Sequence, residues 1–485
     1  MYLITLFLTI FLSILHISFT NRNNIIKLKR ISLGWSILIF FNFIILLLLF
    51  SEFSQFQFSI NLSWFQNYSS YINWGKVHFS VDGISLFFIG LSILLIPICL
   101  LVSWESIEKF NKEFILSLFL ILIILVGVFS TLDILMFYIL FEATLIPMFL
   151  LIGIWGSREE KVKAAFYFFF YTLIGSLLML ISIFKLYSVI GSTNYQGILN
   201  LEIPSYLQFW FFIGFTLSLG VKIPMIPVHI WLPQAHVEAP LAGSVLLAGI
   251  LLKLGGYGFI RFIFPLFPIA SEYFSPIMIL ISLVAIIYGG LTTCRQSDMK
   301  RLIAYSSVAH MGLVTLAIFT HSIEGLFASL VMMIAHGLVS SGLFMTSGIL
   351  YVRFHSRIIK YFKGLTTVMP LLSSITFILI LSNIGFPLTF NFIAEFFSIL
   401  AAFNYSWLIG ILSCLGALIS TIYALYFYNR IYFGVINNYL KHSREISYFE
   451  FSSFIPLIIL TLFLGIYPNY IFKFMLLSSY LNISL

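Results

Sequence analysis

Apolar runs follow one another along the whole chain, separated by short polar turns. A helix needs ~20 apolar residues to cross a bilayer, and on that criterion the pattern gives about 14 spans. Their centres fall near Phe11, Phe40, Ser92, Ile123, Thr144, Ser176, Thr216, Leu251, Ser282, Leu313, Ala335, Leu381, Ala417 and Ile459. The stretches FSQFQFSINLSWFQNYSSYINWGKVHFS and GSTNYQGILNLEIPSY are the longest polar interruptions. The first is rich in aromatics and is expected at the membrane interface. MYLITLFLTIFLSILHISFT has its positive charges after the apolar run and lacks a small-residue cleavage site, so it is read as a retained first span and not a signal peptide. The pattern predicts an all-α polytopic membrane protein.

Composition strengthens that reading. Of the 485 residues 61% are hydrophobic and only 9% charged, with a mean hydropathy of +1.08. Soluble domains carry roughly a quarter charged residues, so there is too little polar surface here to cover a globule in water.

The basic residues test the count independently. Most of the 25 Lys and Arg fall after odd-numbered spans: Arg22, Lys27, Lys29 and Arg30; Lys109 and Lys112; Arg158, Lys161 and Lys163; Arg295, Lys300 and Arg301; Arg353, Arg357, Lys360 and Lys363; Arg430, Lys441 and Arg444. The opposite side receives only Lys76, Lys185, Arg261 and Lys473. The positive-inside rule then favours an even number of spans, with both termini opposite the basic loops.

Lys222 and Lys253 remain, each about halfway along a span, with acidic counterparts Glu142 and Glu395. A charge at the bilayer centre costs ~2.5–3.5 kcal/mol on insertion scales. Interhelical polar contacts return only ~1–2 kcal/mol at best, so four such residues serving only to hold helices together is the weaker explanation. Burial disfavours the charged form of amines and carboxyls alike and brings both toward neutrality, which suits a proton relay. Histidines extend the set: His229, His236, His310 and His336. A lone intramembrane histidine can simply hydrogen-bond between helices, but its intrinsic pKa of ~6.5 also suits proton transfer. His16 and His355 lack such surroundings and are expected at the interface. Asp133 and Glu238, near predicted membrane boundaries, are either gates or ordinary interfacial charges, the latter preferred for Asp133.

Helix breakers sit beside the charges. Pro224 and Pro227 follow Lys222, and Gly385 and Pro387 precede Glu395. Irregular backbone at membrane depth survives only where protein buries it or water lines it, and paired interrupted helices point to a site between inverted repeats. Spans 4–8 and 9–13 make two five-helix units. The chain divides into residues 1–112 (spans 1–3 and an interfacial loop), 113–264 (a first half-channel, interrupted at span 7), 265–434 (a second, interrupted at span 12) and 435–485 (span 14 and a tail that could hold a short surface helix). Cys99, Cys294 and Cys414 are scattered, and no CxxC, Cys/His cluster, GxGxxG or P-loop occurs, so no metal or cofactor is expected in this chain.

KIPMIPVHIWLPQAHVEAPLAGSVLLAGILLKLGGYGFIR and CRQSDMKRLIAYSSVAHMG closely resemble the chain 4 family of antiporter-like membrane subunits of NADH:ubiquinone oxidoreductase (respiratory complex I). The resemblance runs from span 4 through span 13; spans 1–3 match only in hydropathy. It implies that Glu142 and Lys222 form an ion pair in the first half-channel, that Lys253 is the central connecting lysine and that Glu395 is the terminal carboxylate. It also implies that His229, His236, His310 and His336 lie on a polar axis, with no role attached to Gln234. The implied activity is proton translocation driven by quinone reduction elsewhere, with flavin, iron–sulfur clusters and quinone in partner subunits. Partners would be other complex I membrane subunits, especially the antiporter-like chains 2 and 5, accessory subunits and anionic lipids such as cardiolipin; no nucleic acid is expected. Abundant Phe, Ile, Leu and Asn favour the mitochondrial inner membrane over a bacterial plasma membrane, with basic loops facing the matrix. Two other readings stay open: a secondary cation/proton antiporter subunit and a structural scaffold.

Overall fold

The computed structural model describes residues 2–63, 76–107, 109–440 and 444–475. Among the described residues, twelve helices are long and apolar enough to cross a membrane. They are α1 (Tyr2–Phe19), α2 (Ile25–Leu49), α3 (Gly83–Val102), α4 (Asn111–Ser130), α5 (Ile134–Trp155), α6 (Lys161–Ile190), α8 (Leu241–Leu266), α9 (Pro268–Cys294), α10 (Met299–Phe319), α11 (Ile323–Phe354), α13 (Trp407–Tyr432) and α14 (Tyr448–Ile466). Two further crossings are each built from two shorter helices: α7 from Ser205–Lys222 and Trp231–Glu238, and α12 from Pro370–Asn383 and Phe390–Tyr405. Each predicted centre lies within one of these 14 elements. The interruptions at 223–230 and 384–389 fall on the proline and glycine sites.

Hydrocarbon offers backbone groups no partner, so helix ends and breaks must be satisfied from within. Asp82 caps α3 through a capping box with Ser85, Asp298 accepts from the Lys300 amide at 2.8 Å at the start of α10, and Ser447 and Glu450 form a second capping box on α14. Asp133 is such a cap. One carboxylate oxygen accepts from the Met136 amide at 2.9 Å and the other from the Thr193 hydroxyl at 2.6 Å.

The polar interruption after α2 is not simply a loop. Gln57–Ser63 (β1) pairs antiparallel with Lys76–Val81 (β2). Alternation of Phe58, Ile60 and Leu62, and of Val77, Phe79 and Val81, is the period-2 signal of a strand. Residues 64–75 of that stretch lie outside the described residues. In the second polar interruption, Tyr195–Leu199 forms a short helix. Within the tail, residues 469–475 are helical, and the remainder lies outside the described residues.

Helices α8, α10 and α11 are buried over almost their whole length, whereas α1, α2, α6, α13 and α14 bury only a stripe and leave large apolar side chains exposed. The sequence pattern of a helix apolar on all sides is thus resolved by position, in the centre or at the rim. The first part of α7 packs along α6 and α8, and α10 lies between α9 and α11.

Gly255 sets the closest approach of α8 to α7. A Cβ there would stand 2.7 Å from the Leu219 carbonyl oxygen and 3.1 Å from the Ile223 nitrogen, both backbone atoms that cannot swing aside. Overpacking of this kind costs about 1–3 kcal/mol. Gly255→Ala is therefore expected to lower the thermal midpoint of the detergent-extracted protein, measured by scanning fluorimetry. An unchanged midpoint would mean that α7 and α8 separate freely.

Candidate functional site

The polar interior is assembled at helix irregularities. Pro147 cannot donate to the Ala143 carbonyl, and α5 is interrupted at Thr144, two residues after Glu142. Lys222 is the last residue of the first half of α7, and the break frees carbonyls of the turn that ends there; the Trp231 indole fills one by donating to the Val221 oxygen at 2.9 Å. Lys253 sits between two π-helical turns of α8, Leu247–Leu251 and Phe259–Ile263. Such turns disturb the i→i−4 ladder and are frequent at functional positions.

Glu142 and Lys222 face one another closely enough for their charges to interact, with the Ser176 hydroxyl of α6 beside the carboxylate. They are not in direct contact, as the expected ion pair required. The Lys222 ammonium, 1% exposed, makes no hydrogen bond among the described residues; it lies over the Phe141 ring, 4.5 Å from its centroid, with Phe168 at 5.9 Å. An aromatic face stabilises a cation without accepting its proton, so this ammonium is held loosely.

From α8 into the second unit, four of the sequence-derived residues come together. The fully buried Lys253 donates to the Ala248 carbonyl, and its Nζ stands 3.0 Å from His336 Nδ1. The His336 and His310 rings are 5.6 Å apart between centroids, and His310 Nδ1 is 3.7 Å from the Glu395 carboxylate. These residues come from α8, α11, α10 and the second half of α12, so only tertiary packing could bring them into line. Imidazole can donate from one nitrogen while accepting at the other, and a lysine–histidine–histidine–carboxylate series can pass a proton with small movements.

His236 is buried and stacks flat on Phe344, with centroids 4.4 Å apart and ring planes at 7°. It lies within electrostatic reach of Lys253 and of Lys300. His229 stands apart in the α7 break, beside the Tyr288 and Tyr305 rings at 6.2 and 6.3 Å, and does not join the line.

Gly385, read from the sequence as a helix breaker, lies at φ +74° against the Glu395 carboxylate so closely that a Cβ would overlap it. Other residues near the line escaped the sequence reading. Asn383, Asn391 and Tyr423 are buried nearby, and Asn383 faces both His310 and Tyr423. Asparagines inside an apolar run were the available signal. Two basic residues assigned to surface loops are also buried: Lys300 is 2% exposed, and the Arg357 side chain is wholly enclosed beside Glu238. Arg261, also counted as a loop charge, is buried in an ion pair with Asp82 at 2.9 Å. Among the described residues no group of three His, Cys, Asp or Glu is arranged to hold a metal ion.

Residues 131–420 match the family model described as "NADH:quinone oxidoreductase/Mrp antiporter, TM". The chain is 55% identical to NADH-ubiquinone oxidoreductase chain 4 of Metridium senile, over 96% of this chain and 95% of that protein. It is 43% identical to the chain 4 protein of Arabidopsis thaliana, over 93% of this chain and 90% of the relative. Among solved structures, a chain of respiratory complex I from Thermus thermophilus with bound NADH superposes with a TM-score of 0.90 at 25% identity, covering 100% of this chain and 99% of that one. A chain of the Mrp complex from Dietzia sp. DQ12-45-1b shares the fold, with a TM-score of 0.82 at 17% identity over 99% and 98% of the two chains.

Proposed function

Because this chain belongs to the family of NADH-ubiquinone oxidoreductase chain 4 proteins, we propose that it translocates protons in the membrane arm of an NADH:ubiquinone oxidoreductase. The observation that carries this reading is the buried line Lys253–His336–His310–Glu395. The enzyme is a translocase to which this chain contributes no redox centre; flavin, iron–sulfur clusters and quinone belong to partner subunits. Those partners include the antiporter-like chains 2 and 5 and accessory subunits, with anionic lipid such as cardiolipin at the basic loops. The location is the mitochondrial inner membrane, basic loops toward the matrix. Residues 113–264 and 265–434 act as two half-channels meeting at Lys253.

Each charge moved against the membrane potential requires about 2.3 kcal/mol per 100 mV. A pKa change of two units corresponds to roughly 2.7 kcal/mol, so rearrangement of one buried partner supplies work of the right size. Glu142 and Lys222, adjacent but untied, can be driven together or apart by a shift of α5 against α7. Closing the pair would hold a proton on Lys222, and separating it would release that proton.

Two measurements test the proposal. After mild detergent extraction, the chain should co-migrate on a native gel with the band that stains for NADH dehydrogenase activity. Migration in a small assembly without that activity would instead favour an ion-gradient-driven antiporter. Glu142→Gln should then lower NADH-driven proton pumping several-fold per assembled complex in membrane vesicles, less than the ~10²–10⁴-fold typical of a group that transfers the proton itself. Parent-level pumping in that variant would remove Glu142 from the mechanism.

A further inference from the structure

Two buried ion pairs flank the interior, and they are built differently. Asp82–Arg261 is short, at 2.9 Å, and the other Asp82 oxygen caps α3 through the Ser85 amide at 2.9 Å. That pair is a fixed clamp. Glu238–Arg357 is 3.5 Å apart, longer than the 2.7–2.9 Å of a charge-assisted hydrogen bond, and the second Glu238 oxygen has no hydrogen-bond partner among the described residues. Leaving a buried carboxylate oxygen unpaired is costly. The arrangement is poised for a second partner.

That partner is at hand. Lys300, from the start of α10, donates to the Ala239 carbonyl at 3.1 Å and reaches the Ser244 hydroxyl at 3.5 Å, and its charge interacts with that of Glu238. On the other side of Glu238 is a polar cavity of about 100 Å³, lined by Glu160, Lys163, Gln234, Glu238 and Arg301, with room for several water molecules. Glu160 and Lys163 belong to the basic loop side of α6 and Arg301 to that of α10, so the cavity opens toward that face. Arg357 is held in place by the Ser157 hydroxyl and the face of Tyr351, its guanidinium 4.3 Å from the ring centroid. Glu238 is therefore the movable member, standing between a polar vestibule and a buried amine within reach of His236.

We propose that Glu238 is the proton-access residue of the relay on the basic-loop face, exchanging Arg357 for Lys300 as it loads. Once the Lys300 ammonium has passed its proton inward toward His236, the carboxylate takes a proton from water in the vestibule, loses its attraction to Arg357, and hands that proton to the amine left on Lys300, which becomes an ammonium again. Glu238 then returns to Arg357 as carboxylate. Arg357 is the positioning residue of this exchange, because a guanidinium holds the carboxylate without competing for the proton.

This inference rests on the relay reading, and the test separates the two. In vesicles carrying the assembled complex, Glu238→Gln should cut NADH-driven proton pumping per assembled complex at least about five-fold and raise the solvent deuterium isotope effect, because proton delivery becomes limiting. Glu238→Asp should restore more than half of the rate. A loss confined to the amount of complex, with per-complex pumping and isotope effect at parent values, would mean a structural pair and overturn the gate. If Glu238→Gln does not assemble, Gln234→Leu decides: it closes the vestibule without touching the ion pair. A fall of about two-fold or more supports the gate, and parent-level pumping overturns it. Lys253→Arg, in the middle of the line, reports on the relay alone. Normal pumping there removes the relay reading whatever Glu238 does, whereas a dead Lys253→Arg beside an intact Glu238→Gln removes only the gate.

Discussion

Lys253→Arg is expected to reduce proton pumping per assembled complex to below about a tenth of the parent rate, as fully as Lys253→Met does. The comparison works because the two substitutions separate charge from proton release. Arginine keeps a cation and several donors at the same place, so the Ala248 carbonyl and the His336 ring still find a partner. A guanidinium does not deprotonate in proteins, and a proton delivered to it goes no further. If Lys253 were only a structural cation between π-helical turns, arginine would preserve function and methionine would not. Equal loss in both variants is the signature of a group that must give its proton up. NADH-driven acidification, divided by the complex present on a native gel, measures this directly. Parent-level pumping in the arginine variant would end the relay assignment at its central residue.

The membrane architecture was legible because hydrocarbon imposes one rule on every segment: helix, with breaks only where something else meets the backbone. Hence all 14 span centres and both interruptions could be read from runs of apolar residues and from Pro224, Pro227, Gly385 and Pro387. The β1–β2 hairpin was written in alternating residues but was hidden within an aromatic-rich polar stretch. Charge placement was legible for residues far inside a span and misleading near span ends. Lys300 and Arg357 fit a pattern of basic loops, since lysine and arginine near a helix end ordinarily reach for water. Here packing of α10 against α7 and of the 355–358 turn against Ser157 closes over them. The Glu142–Lys222 relation shows a related limit. Sequence put opposite charges at similar depth, but it could not show that the ammonium lies over the ring of Phe141, the neighbour of Glu142 in α5, and near that of Phe168 from α6. The Lys253–Glu395 line depended on four helices meeting, and only the presence of its members, not their contact order, could be read in advance.

At the far end of that line, Glu395→Gln is expected to lower pumping per assembled complex by at least about ten-fold, because the amide keeps the shape of the carboxyl but cannot cycle a proton. The local packing sharpens this expectation. Glu395 is 6% exposed, its carboxylate is 3.7 Å from His310, and Gly385 presses against its other oxygen from the α12 break. Gly385 is tolerated there for two reasons: its φ of +74° suits glycine, and any Cβ would displace the carboxylate. Gly385→Ala leaves every ionisable group in the chain intact, yet it should also slow pumping, by pushing the carboxylate off its place beside His310. Glu395→Asp, one methylene shorter, should fall between the parent and glutamine, since it retains a carboxylate but draws it back from the imidazole. The order parent, aspartate, glutamine, read as initial rates of NADH-driven acidification, would identify proton exchange at the end of α12 as the function of this site. If glutamine pumps as well as the parent, the carboxylate is dispensable, and the line of buried groups ends at His310 without a proton acceptor.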